Sequence, residues 1–378
     1  MKKALIFLFL LVFSAARAQV QLNIEADVPK AQQGKFALTN GTFETIAQGT
    51  VQGNMLIENN QIVALGPGVK VPEDAIIIDC SGLTVYPGMI DGGTRIGLAE
   101  VGSIELTQDS DEAGEVTPQV QALTAVNPNS VLIPVTRVSG VTTALAVPQR
   151  GLFPGTAALI NLHGYTPEQM FAGFRAVTMN FPSSSRRSYW DRRTDEEIEK
   201  DAEKALENLN EVWQKLKTYA AIDSAHKAGD PEAPGYYPEM AALLPVYRGE
   251  AKLLVEVDAS TDIEKAIEWV QENNIDAVFT GVAEGWRVAE ELAAAEIPVI
   301  TGPVLSVPTR ASDRYDRPYA NAGIMQKAGV KVAIRSNDAE NVRNLPYNAG
   351  FAATYGMGRQ EALRAITLTP AEIFGIAD

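Results

Sequence analysis

The feature that most constrains this chain is a change of hydrophobic rhythm at Pro87-Gly88. Before it, Asn54-Met55-Leu56-Ile57-Glu58 and Gln61-Ile62-Val63-Ala64-Leu65 flank Asn59-Asn60, a hairpin turn signal. Ala75-Ile76-Ile77-Ile78 and Leu83-Thr84-Val85-Tyr86 add two short strands. Such strands cannot bury both faces alone, so residues 19–86 are expected to form part of a β-sandwich. After Pro87-Gly88, short apolar runs alternate with helix-period segments, as βα units on a parallel sheet do. Candidate strands are Met89–Asp91, Val141–Val147, Ala157–Leu162, Ala176–Phe181, Lys252–Val257, Ala277–Gly281, Pro298–Thr301 and Val330–Ile334. Eight strands, most followed by a helix, favour an α/β fold closed as a distorted (β/α)8 barrel of the TIM type over residues 87–378. The stretch 157–181 also reads as one strand plus a loop.

The clearest helix runs from Asp195 to Ala225. Thr194 and Glu197 form a capping box, and Ile198, Ala202, Ala205, Leu209, Val212, Leu216 and Tyr219 share one face. Two more helices follow candidate strands, at Asp262–Glu272 and Glu284–Ala294. Pro182–Arg193 is rich in serine, arginine and aromatics. Arg186, Arg187, Arg192 and Arg193 around Tyr189 and Trp190 read as a lid or, more simply, as partners for Asp191 and the next helix's acids.

Met1–Ala18 has a basic start, an apolar run too short to span a bilayer, and a small-x-small site at Ala16-Arg17-Ala18. It reads as a cleaved signal peptide, which places the protein in a periplasm or outside the cell with no membrane anchor. Against 47 acids stand 32 bases, a net charge of −15. That surface repels nucleic acid and anionic membrane, leaving a small molecule as the expected partner. His163 and His226 are the only histidines and Cys80 the only cysteine, which excludes a histidine-built metal cluster and a disulfide framework. Cys80 reads as a buried strand residue, His163 as structural, and His226 as a charge at a helix C-terminus.

Met55–Leu65, followed by Leu83-Thr84-Val85-Tyr86-Pro87-Gly88-Met89-Ile90-Asp91, resembles the opening of the amidohydrolase superfamily, in the branch around imidazolonepropionase and dihydroorotase. Val138–Thr143, Val255–Ile263, Lys327–Ile334, Glu361–Thr367 and Pro370–Gly375 are similar to that family's later motifs, in the same order. The resemblance implies a β-sandwich leading into a distorted barrel. Its relatives continue past Phe374-Gly375-Ile376 with a return to the sandwich, so here an incomplete sandwich is expected. An open strand edge there leaves a homo-oligomer as an option.

The departures from the family bear on chemistry. Active relatives follow Ile-Asp with His-x-His, which holds a divalent metal; here those positions are Gly93 and Arg95. The fifth-strand histidine aligns with Glu256, the sixth-strand one falls near Gly281, and the eighth-strand acid is represented by Asn337 or Asp338. No cofactor is therefore expected, with one divalent metal held weakly by Glu256, Asp338 and Asp91 as the alternative. Arg95, turned inward, would replace the metal's charge and pair with Glu256 or Asp338. The leading reading is a periplasmic barrel with a degenerate metal site, a pseudoenzyme that binds a small carboxylate through Arg95 and Arg335. Asp91, Asn344 and Tyr347 are further ligand candidates, with helix capping as the other role for Asn344. The alternative is a hydrolase of non-peptide carbon–nitrogen bonds, with Glu256 or Asp338 as general base and an arginine stabilising an oxyanion.

Overall fold

The computed structural model describes residues 34–185 and 191–377. The signal-peptide reading of Met1–Ala18 and the lid residues Arg186, Arg187, Tyr189 and Trp190 lie outside the described residues. No helix among the described residues is long and apolar enough to cross a membrane. The chain divides into two compact units, the first taking the described residues up to Phe43 with Thr50–Val85, the second Glu44–Gly49 and everything from Tyr86 onward.

The first unit is one sheet built from β1 (Lys35–Glu44), β2 (Thr50–Glu58), β3 (Gln61–Gly66), β4 (Ile76–Asp79) and β5 (Thr84–Val85). Its order is β3-β2-β1-β4, with β5 also pairing β1. The β2–β3 hairpin turns at Asn59 and Asn60, whose φ angles of 51° and 63° match the right-handed twist of the flanking strands. Among the described residues these strands supply a single layer with an uncovered apolar face, as an incomplete sandwich would. Ile62, Ile77 and Leu83 are accordingly exposed.

The second unit carries β6 (Met89–Thr94), β7 (Val141–Ala146), β8 (Gly155–Asn161), β9 (Phe171–Asn180), β10 (Leu253–Val257), β11 (Ala277–Gly281), β12 (Val299–Thr301) and β13 (Val332–Ile334). They hydrogen-bond in sequence order as an eight-stranded sheet that curls into a nearly closed barrel. The ends meet where Asn337 N donates to Gly93 O at 3.0 Å. One expectation fails in detail, since β8 is antiparallel to both β7 and β9. Residues 147–154 are too few for the crossover that a parallel pair needs. The other seven strands share a direction, and their C-terminal ends form one mouth.

Helices cover the wall between later strands: α1 (Asp195–Lys227) and α2 (Pro238–Tyr247) before β10, α3 (Ser260–Glu272) after it, and α4 (Ala289–Ala294) and α5 (Arg317–Ala328) on either side of β12. The capping box on α1 is present, with Thr194 accepting from Glu197 N and the Glu197 carboxylate accepting from Thr194 N. Its apolar stripe buries Leu209, Val212, Trp213 and Leu216. Trp213 meets Trp269 of α3 edge-on at 5.1 Å between ring centroids.

Strand periodicity decides what reaches the mouth. Ile90, Leu145, Leu159, Ala176, Leu254, Val278, Ile300 and Ala333, one from each strand, pack together as an apolar layer. Two residues further along, on the same face of their strands, come Gly92, Glu256, Thr280, Gly302 and Arg335. The barrel interior therefore turns polar one layer below the mouth.

Candidate active site

Arg335, first residue after β13, is 3% exposed and reaches across the barrel to Glu256 of β10. Its Nη1 donates to Glu256 Oε2 at 2.7 Å and Nη2 to Oε1 at 2.5 Å, a bidentate pair, while Nε donates to Gly302 O at 3.3 Å. The Thr280 hydroxyl donates to the same Glu256 Oε2 at 2.5 Å. Burial alone would raise the Glu256 pKa, but the guanidinium and the Thr280 hydroxyl outweigh it and hold the carboxylate below its ordinary value.

Two glycines make room for this pair. A side chain begun at Gly93 would meet Arg335 Cδ at 3.3 Å. At Gly281 it would meet Asp258 Oδ1 at 2.6 Å, Glu256 Oε1 at 3.0 Å and Arg335 Nη2 at 3.3 Å. Gly281 also holds φ +83°, which favours glycine. These are two of the positions where the resemblance implies histidine. The volume that imidazoles would fill is taken by the arginine and the carboxylates.

Asp258 lies two residues beyond Glu256 and stands in the mouth. Among the described residues, its carboxylate receives one direct hydrogen bond, from Ala283 N at 3.3 Å. The residue is exposed at the mouth. Partial desolvation by the protein around its carboxylate, reinforced by the Glu256 charge and opposed by Arg335, pushes its pKa up to about 6. Three cavities open around the cluster. One of about 570 Å³ is bordered by Glu256 and Asp258, one of about 250 Å³ by Glu256, Thr280 and Arg335, and one of about 220 Å³ by Asp258, Arg335 and Trp286.

The other sequence candidates are distributed differently. Asp91 is fully buried and accepts from Gly93 N at 3.0 Å and from Ser336 N at 3.1 and 3.2 Å, so it clips β6 to the end of β13. Burial pushes its pKa up to about 6 against those hydrogen bonds. Arg95 does not reach Glu256. The β6 pairing slips between Asp91 and Thr94, and the chain then turns away, with Arg95 O accepting from Leu98 N and Ala99 N. Its guanidinium faces Asp338 at 3.4 Å. Asp338 is occupied by that arginine, by Ala339 N at 2.6 Å and by Asn341 Nδ2, which leaves little of it for base catalysis. Asn344 makes no side-chain cap and donates to Asn341 at 3.0 Å, and Tyr347 is exposed; neither borders the three cavities. A carboxylate site built on Arg95 and Arg335 is not what the geometry offers, because each guanidinium already holds a carboxylate. Nor are the histidines at the mouth: His163 faces Arg137 and His226 faces Asp230 O.

The donor set does not fit the divalent metal that the resemblance implies. Both Glu256 oxygens are held by Arg335, and Asp91 is satisfied by backbone N–H groups. Among the described residues, no three His, Cys, Asp or Glu side chains group as a metal would require. Asp258 went unremarked in the sequence, although its spacing from Glu256 was the available signal: strand side chains two apart share a face.

The sequence matches no protein-family model. It is 22% identical, over an alignment of 352 residues, to the amidohydrolase tasK of Hapsidospora irregularis, covering 86% of this chain and 36% of that protein. The chain thus spans about a third of the length of that curated relative. An amidohydrolase from Thermotoga maritima MSB8 superposes with a TM-score of 0.79 at 22% identity, covering 91% of this chain and 89% of that one. Molinate hydrolase superposes with a TM-score of 0.53 at 15% identity, over 92% and 86% of the two chains. The barrel fold is shared with these hydrolases.

Proposed function

We propose that this chain is an amidohydrolase-superfamily hydrolase of carbon–nitrogen bonds other than peptide bonds, working at the barrel mouth with a non-standard site. The observation that carries this reading is the place of Asp258, a carboxylate with open lone pairs standing where two cavities meet, two residues from Glu256 and beside a fixed guanidinium, a setting that pushes its pKa up to about 6. Such a group takes a proton near neutral pH and returns it readily. Ionised Asp258 accepts a proton from water as the water oxygen bonds to the substrate carbon. The carbon–nitrogen bond then breaks, and the same proton passes to the leaving nitrogen. Arg335 and Thr280 hold Glu256 ionised and in place, and its charge two residues away helps to keep Asp258 basic.

A second reading, a barrel that binds without turnover, is favoured by the closed Arg335–Glu256 pair, which leaves no guanidinium edge committed to substrate. Export through residues 1–18 belongs to the proposal as well, as does kinship with the imidazolonepropionase and dihydroorotase branch. The test is the appearance of a free amino group or ammonia from a panel of lactams, amides, ureas and amidines. Release by the wild type and its loss in Asp258→Asn support the hydrolase. An inert wild type over the whole panel supports the binding barrel.

A further inference from the structure

We infer that Arg335 is a built-in counter-cation that closes the barrel mouth to divalent metal, admitted there by the absence of side chains at Gly93 and Gly281. Four observations converge. The guanidinium is buried and engages both oxygens of Glu256 at 2.5 and 2.7 Å. Its stem passes Gly93, where a methyl group would stand 3.3 Å from Cδ. Its tip passes Gly281, where a methyl group would stand 3.3 Å from Nη2, 3.0 Å from Glu256 Oε1 and 2.6 Å from Asp258 Oδ1. Arg95, the cation nearest in sequence to the first-strand position, faces Asp338 at 3.4 Å instead.

A divalent ion competing for Glu256 and Asp258 would have to stand beside a positive charge that cannot leave. A guanidinium does not deprotonate at any working pH, and its fork keeps both carboxylate oxygens engaged. The consequence concerns binding and stability, and holds whether or not the chain turns over a substrate. The intact site should ignore metal and chelator. Without the guanidinium, the Glu256 and Asp258 carboxylates would share the mouth with no counter-charge, and a hard cation with its remaining waters becomes a fitting replacement.

The experiment titrates the full chain with Mg²⁺, Ca²⁺, Mn²⁺ and Zn²⁺, reading thermal midpoint and, after dialysis, metal content. For the wild type, an unchanged midpoint with cation or with EDTA and well under one equivalent of retained metal are expected. For Arg335→Met, or Arg335→Gln if the first does not fold, millimolar Mg²⁺ or Ca²⁺ should raise the midpoint. Stoichiometric metal in the wild type, or a fall in its midpoint with EDTA, overturns the inference. So does a folded variant that responds no more than the wild type. None of these readouts depends on turnover, so failure here leaves the hydrolase reading to its own test.

Discussion

Replacing Arg335 by methionine probes the pair on which the mouth is built. Two unit charges about 4 Å apart at an effective dielectric near 20 attract by about 4 kcal/mol. Part of that offsets the desolvation of two ions. Glu256 keeps a third of its side-chain surface exposed, which screens the pair further. Breaking a buried pair by removing one partner costs about 3–5 kcal/mol, because the other charge is left uncompensated. The lower end, about 3 kcal/mol, is expected for Arg335→Met, and a similar loss for Glu256→Met, which strands a guanidinium of 4% side-chain exposure. The double variant removes both desolvation costs at once, so it should lose much less than the sum. A coupling of at least about 2 kcal/mol is expected from a double-mutant cycle in urea unfolding. Strictly additive single losses, or less than about 1 kcal/mol for Arg335→Met, would refute the reasoning.

Three further outcomes are expected. Asp91 has its pKa raised from 3.8 to about 6 in the fold, so its protonated form favours folding. Its stabilising contribution is present below the unfolded value and is lost as pH rises through about 6, by up to about 3 kcal/mol. Asp91→Asn should flatten thermal midpoint against pH across that window, and a slope identical to the wild type would count against it. Gly281→Ala should cost at least about 1–2 kcal/mol, from the φ of +83° and the 2.6 Å approach to Asp258, read as a lower urea midpoint. Leu209→Ala should lose about 2–5 kcal/mol by leaving a cavity under α1, again by urea unfolding.

Much of the barrel was legible because periodicity is a local signal. All eight candidate strands are present, and α1 begins where Thr194 and Glu197 said it would. The antiparallel β8 was less visible, since direction is set by the eight-residue link 147–154 and not by the strand's own residues. The β-sandwich depended on packing partners that no residue within 35–85 encodes. In the site, Glu256 and Arg335 were both named from the sequence, but not as each other's partner. Of the two partners expected for Arg95, Asp338 is the one it meets and Glu256 is not, because the β6 pairing slips after Asp91. Asp258 carries no motif signal in the sequence, since it aligns with none of the histidine positions. Its importance comes from the mouth it shares with Glu256, which only the curled sheet creates.

The most direct test of the central claim is the pH dependence of carbon–nitrogen bond hydrolysis by the wild type and Asp258→Asn. Asp258 must be ionised to take a proton, so kcat/KM should rise with pH through a limb near 6. In Asp258→Asn that limb should vanish and the rate fall by roughly 10²–10⁴, with the thermal midpoint held. A wild-type profile flat through pH 6, or an asparagine variant as active as its parent, would contradict the account.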